Sequence, residues 1–204
     1  MESKDIYEII LIIRDLIDDN KSYLVQLDQK FGDGDLGVSM SQGFNGIINS
    51  YEDNEDLGRL LLSISKSFNE SAPSSLGTII SFGIMGMAKY LKGKNEIDSE
   101  ELYYALVKGA ENIEHKAYSK EGEKTIVDSI RPALKRAEPY KSDGFKIFTR
   151  KLMEGSAEGA IATKEMVSKH GRAAYHNEKT LGYIDGGAYV GKLIFEANSN
   201  YFNK

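Results

Sequence analysis

Between Ile6 and Ile17 the apolar residues Ile6, Ile9, Ile10, Ile13, Leu16 and Ile17 recur three and four apart. That spacing stacks side chains on one face of an α-helix. It returns in Met40, Phe44, Ile47, Ile48 and Tyr51, and again in Leu57, Leu60, Leu61, Ile64 and Phe68. No stretch alternates apolar and polar residues with period two, so no strand is expected. Such a chain buries its apolar stripes by packing helix on helix. The expected fold is all-α, with about eight antiparallel helices packed as a bundle. The first covers residues 5–25 and the next two the clusters just named; the fourth runs from Leu76 to Leu91. A capping box, Asp98-Ser99-Glu100-Glu101, opens the fifth, which reaches His115. Thr125–Ala137, Ser142–Ser168 and Ala188–Asn198 complete the set. Pro132 should kink or end the sixth. Gly77, Gly83 and Gly86 suit close helix packing, and Met85 and Met87 read as core filler.

A chain of 204 residues fits one domain, taken as 1–204, with a substantial core. Hydrophobic residues at 41% and only three prolines mark a globular composition. The absence of cysteine excludes disulfides, thiolate metal sites and a cysteine nucleophile, and fits the cytoplasm. A net charge of −5 gives no basic footprint for nucleic acid. The opening "MESKDIYEIILIIRDLIDD" carries Glu8 and Arg14 within its apolar run and is not expected to be a signal peptide. Ser67–Ala88, broken by Pro-Ser-Ser, reads as a buried helix rather than a membrane span.

Chemistry-bearing residues fall between the helices. "LDQKFGDGDLGVSMSQGF", from Leu27 to Phe44, places Asp28, Asp33 and Asp35 within eight residues among glycines. Carboxylates this close repel one another unless a cation sits among them. All-oxygen donors suit Mg²⁺ or Ca²⁺ rather than zinc. An EF-hand is excluded, since no glutamate closes the loop at its twelfth position. The other reading makes these aspartates turn residues and a helix N-cap.

The loop resembles the metal-binding loop of the ADP-binding L subunit of bacterial dihydroxyacetone kinase, patterned Asp-x4-Asp-Gly-Asp-His-Gly. Three further stretches are similar to that family in the same order: "SAPSSLGT" (71–78), "GEKTIVDSIRPAL" (122–134) and "GAIATKEMVSKHGRAAYHNEKTLGYIDGGA" (159–188). The resemblance implies a barrel-like eight-helix bundle with a nucleotide at one end. It implies two Mg²⁺ ions held by Asp28, Asp33, Asp35 and the phosphates of ADP or ATP. Leu36, Gly37, Val38 and Ser39 would meet the phosphates at a helix N-terminus. Pro73, Ser74 and Ser75 would let the nucleotide approach, and Ala117 and Ile126 would line its pocket. Lys179, Asp185, Gly186 and Gly187 would cover it. Dihydroxyacetone would sit on a separate K subunit, for which this chain has no residues to spare. A phosphohistidine-carrying phosphotransferase protein would recharge the nucleotide in place.

Four departures from the family pattern stand out: Leu36 for His, Lys179 for Arg, Gly186 for Pro, and Pro-Ser-Ser for a Gly/Ser loop. They leave open a kinase for another small carbonyl or polyol, or a regulatory nucleotide-binding module. For the remaining polar residues, plainer readings hold. Thr125 and Asp128 cap a helix and pair on its surface, Lys124 is solvated, and Arg172 is an ion-pair partner. His115, His170 and His176 lie on the surface, unpaired with carboxylates.

Overall fold

The computed structural model describes all 204 residues. It has nine α-helices: α1 (Ser3–Asp19), α2 (Lys21–Gln29), α3 (Leu36–Asn49), α4 (Leu57–Ser71), α5 (Ser75–Tyr90), α6 (Ser99–Ala117), α7 (Val127–Ala137), α8 (Phe145–Ala162) and α9 (Gly186–Phe202). There is no strand. Each helix from α3 to α9 packs on the next, and α1 closes the ring by packing on both α9 and α3. Eight helices thus form a closed barrel-like ring, with the short α2 lying against α3 and α9 at one end. No helix is long and apolar enough to cross a membrane.

The ninth helix comes from a break at Asn20, where continuous apolar periodicity had pointed to one helix over 5–25. The Asn20 side chain donates to the Leu16 carbonyl at 2.8 Å, and its backbone N–H donates to the same oxygen at 3.1 Å. Its own carbonyl then accepts from Leu24 N–H at 2.9 Å and starts α2. The chain ends one helix and begins another without leaving the apolar face. At the other corrected boundary, α8 stops at Ala162 rather than Ser168; a 3₁₀ turn, Thr163–Glu165, and an extended Met166 follow. The expected loop 170–187 carries a 3₁₀ segment, Arg172–Thr180, interrupted at Asn177.

Pro132 does not end α7. Its missing N–H leaves the Asp128 carbonyl without its helical donor. That carbonyl faces Gly159 of α8, where a Cβ would come within 2.2 Å of it. Gly155 meets the Pro132 carbonyl the same way, at 2.6 Å. Two glycines therefore let α8 press its backbone onto the proline turn. The capping box at α6 forms in both directions: Asp98 Oδ1 accepts from Glu101 N–H at 2.8 Å and Glu101 Oε2 from Asp98 N–H at 3.2 Å.

One continuous cluster of 36 buried apolar residues fills the ring, with Phe68 and Phe148 fully buried, so the interior holds no channel and any site belongs to an end. Neighbours joined by short connections alternate up and down. The connections before α3, α5, α7 and α9 therefore share one end. The opposite end is tied by Ile97 N–H to the Met1 carbonyl (3.0 Å), Leu57 N–H to Lys94 (2.8 Å) and Ser99 Oγ to Lys141 (2.6 Å). Gly159→Ala should lower stability by about 1–3 kcal/mol, because the added methyl must displace backbone rather than a side-chain tip. Thermal melting checks this; an unchanged melting temperature contradicts the close α7–α8 contact.

Candidate functional site

The aspartate loop winds around the side chain of Asp28. Asp28 Oδ2 accepts from Gly34 N–H at 2.8 Å and Leu36 N–H at 3.4 Å. The Asp28 carbonyl accepts from Gly32 N–H at 2.6 Å and Phe31 N–H at 3.1 Å. Gly34 sits at φ +78°, where a side chain is strained, and a Cβ on Gly32 would fall 2.0 Å from Asp28 Oδ1 and push that carboxylate out of place. The winding brings oxygens of Asp28, Asp33 and Asp35 within 4.8 Å of one another. Asp35 is held above the usual carboxylate range by burial and by the charges of Asp33 and Asp28, with Arg172 opposing. Arg172 Nη1 pairs with Asp33 Oδ2 at 2.7 Å, across an exposed contact. Three crowded carboxylates facing one guanidinium leave uncompensated negative charge, and the oxygen-only donor set fits a hard divalent cation.

These carboxylates stand on one wall of a cavity of about 740 Å³. That size is in the range of small-molecule and cofactor sites. All four same-end connections contribute to its lining. Of the residues singled out from the sequence, Asp28, Asp33, Asp35, Leu36, Pro73, Ser74, Ser75, Ala117, Ile126, Asp185, Gly186 and Gly187 line it. Gly37, Val38, Ser39 and Lys179 do not. A Cβ on Gly37 would meet the Lys21 carbonyl at 2.4 Å, so Gly37 faces α2 instead. Val38 points to solvent. Ser39 is buried and donates to Ser74 Oγ at 2.7 Å, joining the start of α3 to the cap of α5. Lys179 is exposed, outside the cavity wall, in the segment that covers the site.

Lys124 is not solvated: only 4% of it is exposed. Its Nζ donates to the carbonyls of Thr163, Thr180 and Tyr183, each at 2.7 Å, and of Met166 at 3.2 Å. Burial lowers its pKa, while Asp185, Asp128 and Glu165 push it back up. His170 is likewise paired, contrary to expectation, with Nε2 2.7 Å from Glu123 Oε2. His115 and His176 are exposed, as read. Thr125 Oγ1 accepts Val127 N–H at 3.2 Å at the start of α7, but Asp128 does not cap the helix: it accepts from the loop N–H groups of Thr125 at 2.7 Å and Gly122 at 2.6 Å, and it is fully buried rather than on a surface. Phe31 and Tyr183, which lie within the quoted stretches but carry no expected role, also line the cavity, with rings 5.5 Å apart. Nothing local in the sequence signalled the contacts of Lys124 and His170 or the pairing of Phe31 with Tyr183, since each joins distant segments.

Asp185 caps α9 by accepting from Ala188 N–H at 2.8 Å. Burial pushes its pKa up to about 6, against the pull of that N–H and of Lys124. Directly beside it, Leu36 Cδ2 lies 2.5 Å from where a Cβ on Gly186 would stand. Leu36 and Gly186, two departures from the dihydroxyacetone kinase pattern, are thus neighbours, and a proline ring at 186 would require this leucine to shift.

A helical ring with a carboxylate cluster and a cavity at one end defines a ligand-binding domain whose site is built from alternate connections and the helix ends they join. The chain belongs to the DAK2 domain family, whose model matches residues 30–200. It is 29% identical over 184 residues to the PEP-dependent dihydroxyacetone kinase 1, ADP-binding subunit DhaL, of Listeria innocua, covering 89% of this chain and 87% of that one. Its fold is similar to that of the dihydroxyacetone kinase of C. freundii in the native form, with a TM-score of 0.75, 21% identity and 94% of this chain covered. It also matches the complex of that kinase with AMP-PNP and Mg²⁺, with a TM-score of 0.72, 21% identity and the same 94% coverage. The chain spans 33% of that longer kinase.

Folded Asp185 keeps its proton to higher pH than an unfolded aspartate does, so its contribution to stability is full below pH 3.8 and is lost as pH rises through about 6. Asp185→Asn retains the cap and removes the titration. The variant's melting temperature should therefore climb relative to the parent between about pH 4 and pH 7. A difference that stays constant across that window contradicts the raised pKa.

Proposed function

We propose that the chain is the nucleotide-carrying subunit of a dihydroxyacetone-type kinase, binding ADP or ATP with Mg²⁺ at the cavity described above. The observation that carries this reading is the carboxylate cluster, its oxygens within 4.8 Å, on the wall of a cavity where helices begin. Leu36, Ser75 and Gly186 are first residues of α3, α5 and α9, and all three line the cavity. Helix N-termini attract phosphate through free N–H groups and the aligned peptide dipoles. A nucleotide diphosphate beside three aspartates requires about two divalent ions for rough neutrality.

Bound Mg²⁺ would neutralise the phosphates and withdraw charge from the oxygens of the phosphoryl group. Asp28, Asp33 and Asp35 would hold it. Arg172, already at Asp33, stands where it can add positive charge beside the phosphates. The chain's own part is to position and to neutralise, which is most of what phosphoryl transfer asks of a protein. The acceptor, dihydroxyacetone or a related small carbonyl or polyol, would be held by a partner K subunit at the loop-bearing end. Recharging by a phosphohistidine-carrying protein accords with the PEP-dependent relative. A second reading, a regulatory module without turnover, rests on Leu36: its side chain is buried and touches the Gly186 backbone position, offering no hydrogen-bond donor to the site.

ADP at about a hundred times its Kd should raise the melting temperature by about 5–10 °C with Mg²⁺ and by much less without it. Asp33→Ala should abolish the Mg²⁺-dependent part. Absence of any Mg²⁺-dependent shift in the parent contradicts the nucleotide reading. Product formation with the K-type and phosphohistidine proteins favours the kinase; binding without product, restored by Leu36→His, favours the regulatory module.

A further inference from the structure

The segment from Met166 to Tyr183 arches from the end of α8 over the cavity to the start of α9. Both of its ends converge on Lys124. Thr163 and Met166 lie where the segment begins, Thr180 and Tyr183 where it returns, and all four carbonyls accept from one ammonium. Three N–H donors serve four oxygens, so one donor is shared. An ammonium this deeply buried is costly unless it is fully hydrogen-bonded and charge-compensated. The four carbonyls meet the first condition, and Asp185, Asp128 and Glu165 supply the opposing charge. Lys124 adopts φ +62°, a left-handed conformation unfavourable to a side-chain-bearing residue, and the chain keeps a lysine there.

The residue before it grips the same segment. The Glu123 carbonyl accepts from Lys169 N–H at 3.2 Å, and its carboxylate holds His170 at 2.7 Å and Lys169 Nζ at 3.9 Å. The tie continues to the cavity wall. Thr163, whose carbonyl Lys124 holds, accepts Asp185 N–H on its Oγ1 at 3.0 Å, and Asp185 caps α9 at Gly186 and Gly187. On the far side the segment meets the aspartate loop through surface contacts: Arg172 with Asp33, His176 and Tyr183 with Phe31, and Lys30 over the Tyr183 ring. One edge is therefore anchored inside the protein and the other is latched at its surface.

We propose that Lys124, assisted by Glu123, is a positioning residue that closes the base of the 166–183 strap, and that nucleotide affinity depends on this closure. The inference rests on the nucleotide reading for its second half only. Lys124 lies in the cavity lining, but its Nζ is committed to the four carbonyls, so it acts by holding the strap, and through Thr163 and Asp185 the start of α9, in the binding-competent arrangement. Where only a fraction of molecules holds that arrangement, apparent Kd rises by the reciprocal of that fraction.

Hydrogen exchange on the ligand-free full chain, paired with ADP titration in Mg²⁺, tests it. In Lys124→Met, amides of 166–183 should exchange at least about tenfold faster while those of α4 and α5 keep their protection, and the Kd for ADP should rise by about tenfold or more. Lys124→Arg keeps the charge, but a planar fork fits poorly inside a cage built around one point, so it should remain loosened. His170→Ala, which leaves the buried ammonium intact, should speed exchange around 168–172 and weaken ADP by a few-fold; it carries the test should the Lys124 variants fail to fold. Unchanged strap exchange, equal loosening of α4 and α5, or unchanged ADP affinity with a loosened strap overturns the proposal. A parent chain that binds no ADP refutes the nucleotide reading, and the exchange result still decides the tie.

Discussion

In a closed up-and-down ring of helices, every second connection is delivered to the same end. The connections before α3, α5, α7 and α9 share that end here, and so do the N-termini of those four helices. Their aligned peptide dipoles make the end attractive to anions. Four stretches separated by up to about 150 positions thereby become one cavity wall. The packed interior leaves the helices no functional task beyond holding these ends in place.

Against this background the three aspartates are an electrostatic misfit that asks for a partner. Carboxylates at an anion-attracting end repel both one another and an incoming phosphate. Divalent cations between the two sets of oxygens remove both conflicts. Arg172 at Asp33 and the raised pKa of Asp35 are the marks of that unresolved charge in the chain by itself. Leu36 and Gly186 adjust the same corner sterically. The leucine occupies the space a larger residue at 186 would need, so the two departures from the family pattern are coupled through one contact.

Much of the fold was legible because helical periodicity and capping are local. The capping box at Asp98, the stripe from Leu57 to Phe68 and the glycines of α5 all do what their spacing implies. Asn20 was not legible as a break, since apolar residues continue through it and the side-chain bond to Leu16 leaves no mark in the pattern. That the helix continues through Pro132 was not legible either, because the glycines of α8 that accept the proline lie more than twenty positions away. The aspartates of the site were legible as a cluster in one loop. Lys124 was not: a lysine in a polar stretch reads as solvated, and its burial depends on four carbonyls 39 to 59 positions distant. His170 with Glu123 repeats the lesson at 47 positions. Site residues that act within a loop declare themselves, whereas those that join loops do not.

The central claim is that Asp28, Asp33 and Asp35 hold divalent metal jointly with nucleotide phosphates at this end of the ring. Anomalous diffraction from crystals grown with ADP and Mn²⁺ addresses it without relying on turnover or stability. The account predicts metal peaks within bonding distance of all three carboxylates and of the phosphate oxygens, with the phosphates beside the first turn of α3. Metal bound elsewhere, or ADP bound in the cavity with no metal at the aspartates, would contradict it.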